Sequence, residues 1–298
     1  MTQTGPQPKE QAFVDMQPRL FAVAYRMLGS VSDAEDIVQD AYLRWQRVEF
    51  DQVRDKTGYL IRIVTRLCLD QLRAARTVRE TYPGEWLPEP LITDDSTERL
   101  DRDVSVALLM ALERLSPLER AAFLLHDVFE HSYEELSETL KRSQSSCRQL
   151  VSRARKHVEQ VKPRVRVERE HGEELAKAFF SAAKSGDTKH LTALLARDVQ
   201  LHSDGGGKII ATLNPIYGRD KVTRFFSGLA RKPSAPRSFR WAFCWLNGLP
   251  AIINREPGGS LQATSLKIED GQIAEIYMVR NPDKTQHLED LLDKQGLL

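Results

Sequence analysis

The chain has 298 residues, a formal charge of +1 and three cysteines; that length predicts two or three compact units rather than one. No apolar run approaches the eighteen or so residues of a membrane helix, and "MTQTGPQPKEQ" lacks the basic-then-apolar layout of a signal peptide. Cys68, Cys147 and Cys244 are too scattered for a disulfide framework or structural zinc, so a cytosolic protein with reduced, packed thiols and without metal, cofactor or membrane contact is expected.

From Phe13 to about Arg79 the pattern is helical. "SDAEDIVQDAYLRWQRV" opens with Ser32 and Glu35, spaced as a capping box, and then repeats Ala34, Ile37, Val38, Ala41 and Trp45 at helical intervals. Its other face carries Asp33, Asp36, Gln39 and Asp40. "TGYLIRIVTRLCLDQLRAAR" predicts a second helix that buries Leu60, Ile61, Val64, Leu67 and Cys68 and turns Arg62 and Arg66 outward. In "TYPGEWLPEPLITDDSTE" the four residues Pro83, Gly84, Pro88 and Pro90 exclude helix and predict an extended linker. Trp86 and Leu87 are too apolar for a free linker and are expected to dock on another part of the molecule.

Helical spacing resumes with Leu100, Val104, Leu108, Ala111 and Leu115. Ser116-Pro117 with Glu119, and Ser132 with Glu135, predict two capping boxes, and Ser143 should cap a further helix with the stripe Cys147, Leu150, Val151, Ala154 and Val158. Helix, short turn, helix is the plan of a helix-turn-helix.

Charge along the chain is segregated. Residues 81–140 sum to −10, whereas 141–169 hold ten basic and two acidic side chains. This contrast predicts either a nucleic-acid contact with repelling surroundings or two surfaces of one molecule that meet, acidic residues 85–103 shielding the basic helix. In a recognition helix, Ser145, Ser146, Arg148, Gln149, Ser152 and Arg153 would face base edges, with Arg suited to guanine and Gln to adenine. Lys141, Arg142, Arg155 and Lys156 are placed for phosphates, which give affinity without sequence reading.

Past Pro163, helical stretches at Glu173–Lys184 and Thr188–Ala196 lead into "VQLHSDGGGKIIATL", in which "IIATL" reads as a strand. After a helix in "GRDKVTRFFSGL", strands are predicted at Phe239–Leu246, Ala251–Glu256, Leu261–Glu269 and Ile273–Val279, with "NGLP", "EPGG" and "EDG" as turns. The order fits an α+β domain, a helix-backed sheet. Trp241, Phe243 and Trp245 alternate and are expected in its core. "DGGGK" is no phosphate loop, because Ile209 follows Lys208 where Ser or Thr is required and the first glycine is missing.

These features together resemble a bacterial RNA polymerase sigma factor of the extracytoplasmic-function type. "LFAVAYRMLGSVSDAEDIVQDAYLRW" is similar to sigma region 2, "TGYLIRIVTRLCLDQLRAAR" to its promoter-opening part, and "ALERLSPLERAAFLLHDVFEHSYEELSETLKRSQSSCRQLVSRARKHV" to region 4. The resemblance implies a multidomain protein: two all-α sigma domains, a region 2 helical bundle at 1–79 and a region 4 helix-turn-helix at 99–162. A Pro-rich linker at 80–98 joins them, and a SnoaL-like α+β domain of the cystatin type follows at 163–298. It implies that Asp33, Asp36, Gln39 and Asp40 dock on the beta-prime clamp helices of the polymerase core. Arg62 and Arg66 would contact the minus-ten strand, while region 4 would read the minus-thirty-five element and meet the beta flap.

"WLPEP" (Trp86, Leu87, Pro88), "DGGGK" (Asp204, Gly205, Gly206, Gly207, Lys208) and "NPDK" (Asn281, Pro282, Asp283) resemble landmarks of the sigma factors that carry this extra domain. They are expected to dock and to regulate in cis, and an unidentified small ligand of that domain is a further possible partner. Thr285 stands where the resemblance implies an apolar residue. Two other functions remain open on sequence: a helix-turn-helix regulator that needs no polymerase, and a SnoaL-like cyclase or isomerase using His202 and Asp204, which lie two apart and so share one face of a strand. No catalytic residue is assigned.

Overall fold

Helix α1 (Pro8–Leu28) stops at Gly29, whose φ of +68° reverses the chain. The very next residue, Ser30, caps α2 (Val31–Gln46) by accepting from the Asp33 amide at 3.1 Å. The cap is therefore Ser30 and not Ser32, which bonds to the Ser30 hydroxyl instead. A two-residue link leaves no further turn of chain for a later start. The computed structural model describes residues 8–80, 82–93, 105–158, 167–232, 241–256 and 258–295. These fall into two units, Met1–Glu80 with Arg102–Lys162, and Thr81–Asp101 with Pro163–Leu298. Leu100, Val104, the acidic stretch 94–103, and Lys162, Arg164 and Arg166 of the basic stretch lie outside the described residues.

In the all-α unit, α3 (Lys56–Glu80) is capped by Asp55, which accepts from the Gly58 amide at 3.0 Å. Trp45 is fully buried between α1 and α3, its indole N–H given to the Lys9 carbonyl at 2.9 Å. Next come α4 (Val106–Glu113) and α5 (Pro117–Phe123), a π-turn at Leu124–Val128, α6 (Tyr133–Leu140) and α7 (Gln144–Val158). Both expected capping boxes are present, at Ser116/Glu119 and Ser132/Glu135, and Ser143 accepts from the Ser146 amide at the start of α7. Lys141 makes the tight turn in the left-handed region, φ +52°. Buried Arg120 joins α5 to α1 and α4: its guanidinium donates to the Met27 carbonyl and pairs with Glu113, both at 2.7 Å.

The α+β unit is built on a six-stranded sheet in the order β2-β1-β6-β5-β4-β3. Its strands are β1 (Leu195–Asp204), β2 (Ile216–Tyr217), β3 (Trp241–Leu246), β4 (Leu249–Arg255), β5 (Leu261–Glu269) and β6 (Gln272–Val279). Only β1 and β6 run parallel. Asn247-Gly248 and Asp270-Gly271, all at positive φ, make the two-residue hairpin turns. Helices α8 (Arg169–Ser185), α9 (Thr188–Leu194) and α10 (Arg219–Ala230) cover one face, where Phe179, Phe226, Ile252, Leu266, Ile276 and Met278 form the core.

Because strand side chains alternate, His202, Asp204 and Tyr277 face away from that core. Helix α11 (Pro282–Gln295) packs on β5. It was missed in the sequence, although Asn281-Pro282 is a start signal; the Asn281 side chain accepts from the Asp283 amide at 3.1 Å.

Two strand expectations change. "IIATL" is a loop with Ile210 87% and Leu213 69% exposed, and among the described residues no strand pairs with it. Trp241 does not enter the core as Trp245 does: it is 38% exposed at the sheet edge and leans on Phe180, ring centroids 5.6 Å apart. The thiols of Cys68, Cys147 and Cys244 are free and raised in pKa, chiefly by burial, that of Cys244 to about 12.

Candidate functional site

The candidate DNA surface is the outer face of α7. Its inner stripe Cys147, Leu150, Val151 and Ala154 is buried, which fixes the helix rotation and leaves Ser145, Arg148, Gln149, Ser152, Arg153 and Lys156 exposed. Ser146 is half-buried beside them, and Lys141 and Arg142 are exposed in the preceding turn. Three arginines carry local partners. Arg148 lies over the Tyr133 ring at 4.9 Å, Arg153 sits 3.4 Å from Glu119, and Arg155 forms a two-pronged pair with Asp127 at 2.8 and 2.5 Å. That pair raises the Arg155 pKa and engages both prongs of its guanidinium, so Arg155 is less available to a phosphate than Lys156.

On α2 the buried positions Ala34, Ile37, Val38 and Ala41 face inward, and Asp36, Gln39 and Asp40 are exposed, with Asp33 half-buried. Leu43, 57% exposed, continues the same surface one turn after Gln39 and Asp40. Sequence reading passed over it, because an apolar residue outside the core stripe is visible only once the helix rotation is known.

Arg62 and Arg66 do not simply project outward. Arg62 pairs with Glu138 at 3.2 Å, and Arg66 donates to the Thr139 and Glu138 carbonyls at 3.4 and 3.2 Å. Both therefore sit on the C-terminal turn of α6, where unpaired carbonyls and the helix dipole favour cations.

In the α+β unit, "WLPEP", "DGGGK" and "NPDK" come together around one carboxylate. Asp204 is 1% exposed. One oxygen accepts from the Tyr82 hydroxyl at 2.7 Å and the Gly206 amide at 2.9 Å; the other accepts from the Leu87 amide at 2.9 Å and the Lys284 ammonium at 2.7 Å. Lys284, 6% exposed, also donates to the Leu87 carbonyl at 2.5 Å and lies 4.9 and 4.2 Å from the ring centres of Tyr82 and Trp86.

A buried ion pair offsets its desolvation only when its other valences are met, and here they are met by residues 82–87 together with the Gly206 amide. Burial, then the bond to Asp204, pushes the Tyr82 phenol up in pKa, so it stays a donor. Asn281 donates to the Tyr82 hydroxyl at 3.0 Å, and Lys208 pairs with Asp283 at 2.6 Å.

The glycines serve close approach. A Cβ on Gly206 (φ +60°) would lie 2.3 Å from the Asn281 amide nitrogen, and one on Gly207 (φ +71°) 2.5 Å from Pro83. His202 is bound by Glu85 at 2.9 Å and stacked on Tyr277, so both residues weighed as acid and base are held by linker residues. The strap continues as Ile92 bridges Leu246 and the Thr93 amide donates to the Trp245 carbonyl at 2.8 Å. His287 reaches the Pro90 carbonyl at 2.8 Å. Thr285, 2% exposed in place of an apolar residue, gives its hydroxyl to the Asn281 carbonyl at 3.3 Å. Sequence reading singled out neither Tyr82 and Glu85 on the linker nor Lys284, the last residue of "NPDK", as site residues.

Two helical modules, one presenting a basic helix after a tight turn and the other an acidic helix, are the architecture of a promoter-recognition protein that the family models identify. Residues 13–78 match Sigma-70 region 2 and residues 105–158 match Sigma-70, region 4. The ECF RNA polymerase sigma factor SigJ of Mycobacterium tuberculosis is 35% identical over 288 residues, 91% of each chain. The probable ECF RNA polymerase sigma factor SigI of the same species is 32% identical over 272 residues, 88% of this chain and 90% of its own. The crystal structure of SigJ superposes with a TM-score of 0.73 at 33% identity, covering 93% of this chain and 98% of that one. The chain belongs to the extracytoplasmic-function RNA polymerase sigma factors.

Proposed function

We propose that this sigma factor acts in the cytoplasm, docks on the polymerase core through α2, reads the minus-thirty-five element with α7, and is regulated in cis by its α+β unit. Exposed Asp36, Gln39, Asp40 and Leu43 make an acidic rim around an apolar spot, which suits the clamp helices of the core. Ser145, Arg148, Gln149, Ser152 and Arg153 read bases, and Lys141, Arg142 and Lys156 hold phosphates. Arg62 and Arg66 contact the minus-ten strand after leaving the end of α6, so promoter opening and separation of the two helical modules are one event. The beta flap is the expected partner of the second module.

The linker latch around Asp204 carries the regulatory reading. It shortens and fixes the tether between the two helical modules, and so sets the fraction of molecules able to span both promoter elements. His202 and Asp204 serve this latch and not a reaction, and the protein makes and breaks no covalent bond. Core association tests the docking surface. Asp36→Arg with Asp40→Arg in the full chain should lose at least about tenfold in affinity for purified core, each reversed charge removing on the order of 1 kcal/mol. Affinity equal to wild type would overturn the assignment of α2.

A further inference from the structure

The helix-covered face of the sheet holds a cavity of about 470 Å³ between α8, α10 and the strands. Its apolar wall is Phe179, Phe180, Phe225, Phe226, Leu229 and Met278. Close-packed cores leave few voids larger than a water molecule, whereas 300 to 1,000 Å³ is the usual range of small-molecule sites.

Asn254 also lines it, is 3% exposed, and its amide oxygen has no hydrogen-bond partner among the described residues. Gln262, its cross-strand partner, gives its amide to Thr264 at 3.1 Å and does not serve it. Thr212, on the loop that follows "DGGGK", contributes a hydroxyl without a partner among the described residues. Buried polar atoms are seldom left unmet in a native protein.

The charges on the wall cancel each other. Arg280 grips Glu256 at 2.6 and 2.7 Å and donates to the Ile210 carbonyl, which leaves neither ion seeking a counter-charge. Exposed Lys184 and Lys232 mark the opening, where water screens them.

We propose that this cavity is a binding site for a neutral, largely apolar ring compound that carries one hydrogen-bond donor, the donor meeting Asn254 Oδ1 and the rings stacking among the four phenylalanines. Aromatic side chains at the wall favour planar ligands edge-on or offset, and the buried Asn254 oxygen sets orientation. The site is distinct from the latch, since Ser203 on β1 faces the cavity while its neighbours His202 and Asp204 face the linker. It stands whether or not the latch regulates transcription.

2-Naphthol is a suitable probe, with 2-methoxynaphthalene as the same ring without a donor. The full-length protein should bind 2-naphthol saturably at one site, by fluorescence titration and calorimetry. 2-Methoxynaphthalene should bind about tenfold more weakly, the worth of one hydrogen bond. Asn254→Leu should weaken 2-naphthol by a similar factor while raising the Tm of the ligand-free protein, because an unmet buried polar group is removed. A structural asparagine would instead lower it. Ala183→Phe, which fills the cavity from α8, should abolish binding. Non-saturable uptake would overturn the proposal. So would equal affinity for both probes, as when bound water serves Asn254, or unchanged affinity in Asn254→Leu and Ala183→Phe.

Discussion

The two candidate surfaces treat charge in opposite ways. On α7 the polar side chains Ser145, Gln149, Ser152 and Lys156 stand in water on a helix held by its buried stripe and by the local contacts of Arg148, Arg153 and Arg155. Around Asp204 the polar groups are turned inward: Tyr82, Leu87, Gly206 and Lys284 meet the carboxylate, and Lys284 is met again by a carbonyl and two rings. A surface that must bind a partner keeps its valences open at little cost in stability. A surface that must hold the chain closed satisfies them internally, and its removal is felt by the fold.

The largest effect should come from breaking a buried ion pair. Asp204→Asn keeps the volume but removes the carboxylate that Lys284 pairs with at 2.7 Å, and should destabilise the α+β unit by about 3–5 kcal/mol, the range for breaking a buried pair. Urea unfolding followed by Trp fluorescence measures it, and a change under about 1 kcal/mol would mean that the network is open to water. The contrasting pair is Arg148→Ala and Gln149→Ala on α7. Each should leave stability within about 0.5 kcal/mol yet cost about 1–3 kcal/mol in binding to the preferred minus-thirty-five sequence and relax its specificity. Competition binding against shuffled DNA would show this, and equal losses on every sequence would reassign these residues to phosphates.

The smallest effect is a pH dependence confined to the helical unit. His131 is held below its ordinary pKa, chiefly by burial, with Arg19 and Arg62 adding to the depression while Glu135 and Asp55 oppose it. Its Nδ1 has no partner among the described residues. The unfolded chain therefore takes up the proton first, so stability is full above about pH 6.5 and declines as pH falls towards the folded pKa. The melting temperature of the helical unit should drop between pH 7 and 5, and His131→Gln should flatten that slope. An identical slope in the variant would place the titrating group elsewhere.

Much of this comparison could be read from the sequence because its causes are local. The capping boxes at Ser116 and Ser132, the cap at Ser143 and the stripe on α7 depend on residues three or four apart, and all appear where the spacing put them except Val158, which is half-buried at the helix end. The latch was legible only in part. "WLPEP", "DGGGK" and "NPDK" could be named, but Tyr82 meets Asp204 across 122 residues and Lys284 meets Leu87 across 197, and no spacing rule encodes such a meeting.

His202 and Asp204 share a strand face, as alternation required, yet that face belongs to the linker, which became visible only with the sheet order. The Ser32 cap failed by two residues because Gly29 ends one helix where the next begins. The contacts of Arg62 and Arg66 with the end of α6 were hidden for the same reason as the latch: they join segments more than seventy residues apart.

Run-off transcription with purified core polymerase on genomic DNA, comparing wild type with Asp204→Asn at equal concentration, tests the central claim most directly. The account predicts the same start sites, because α7 is untouched, with output changed several-fold as the tether is released from the α+β unit. The same output from the two proteins, with the loss of the Asp204–Lys284 ion pair shown by unfolding, would contradict it.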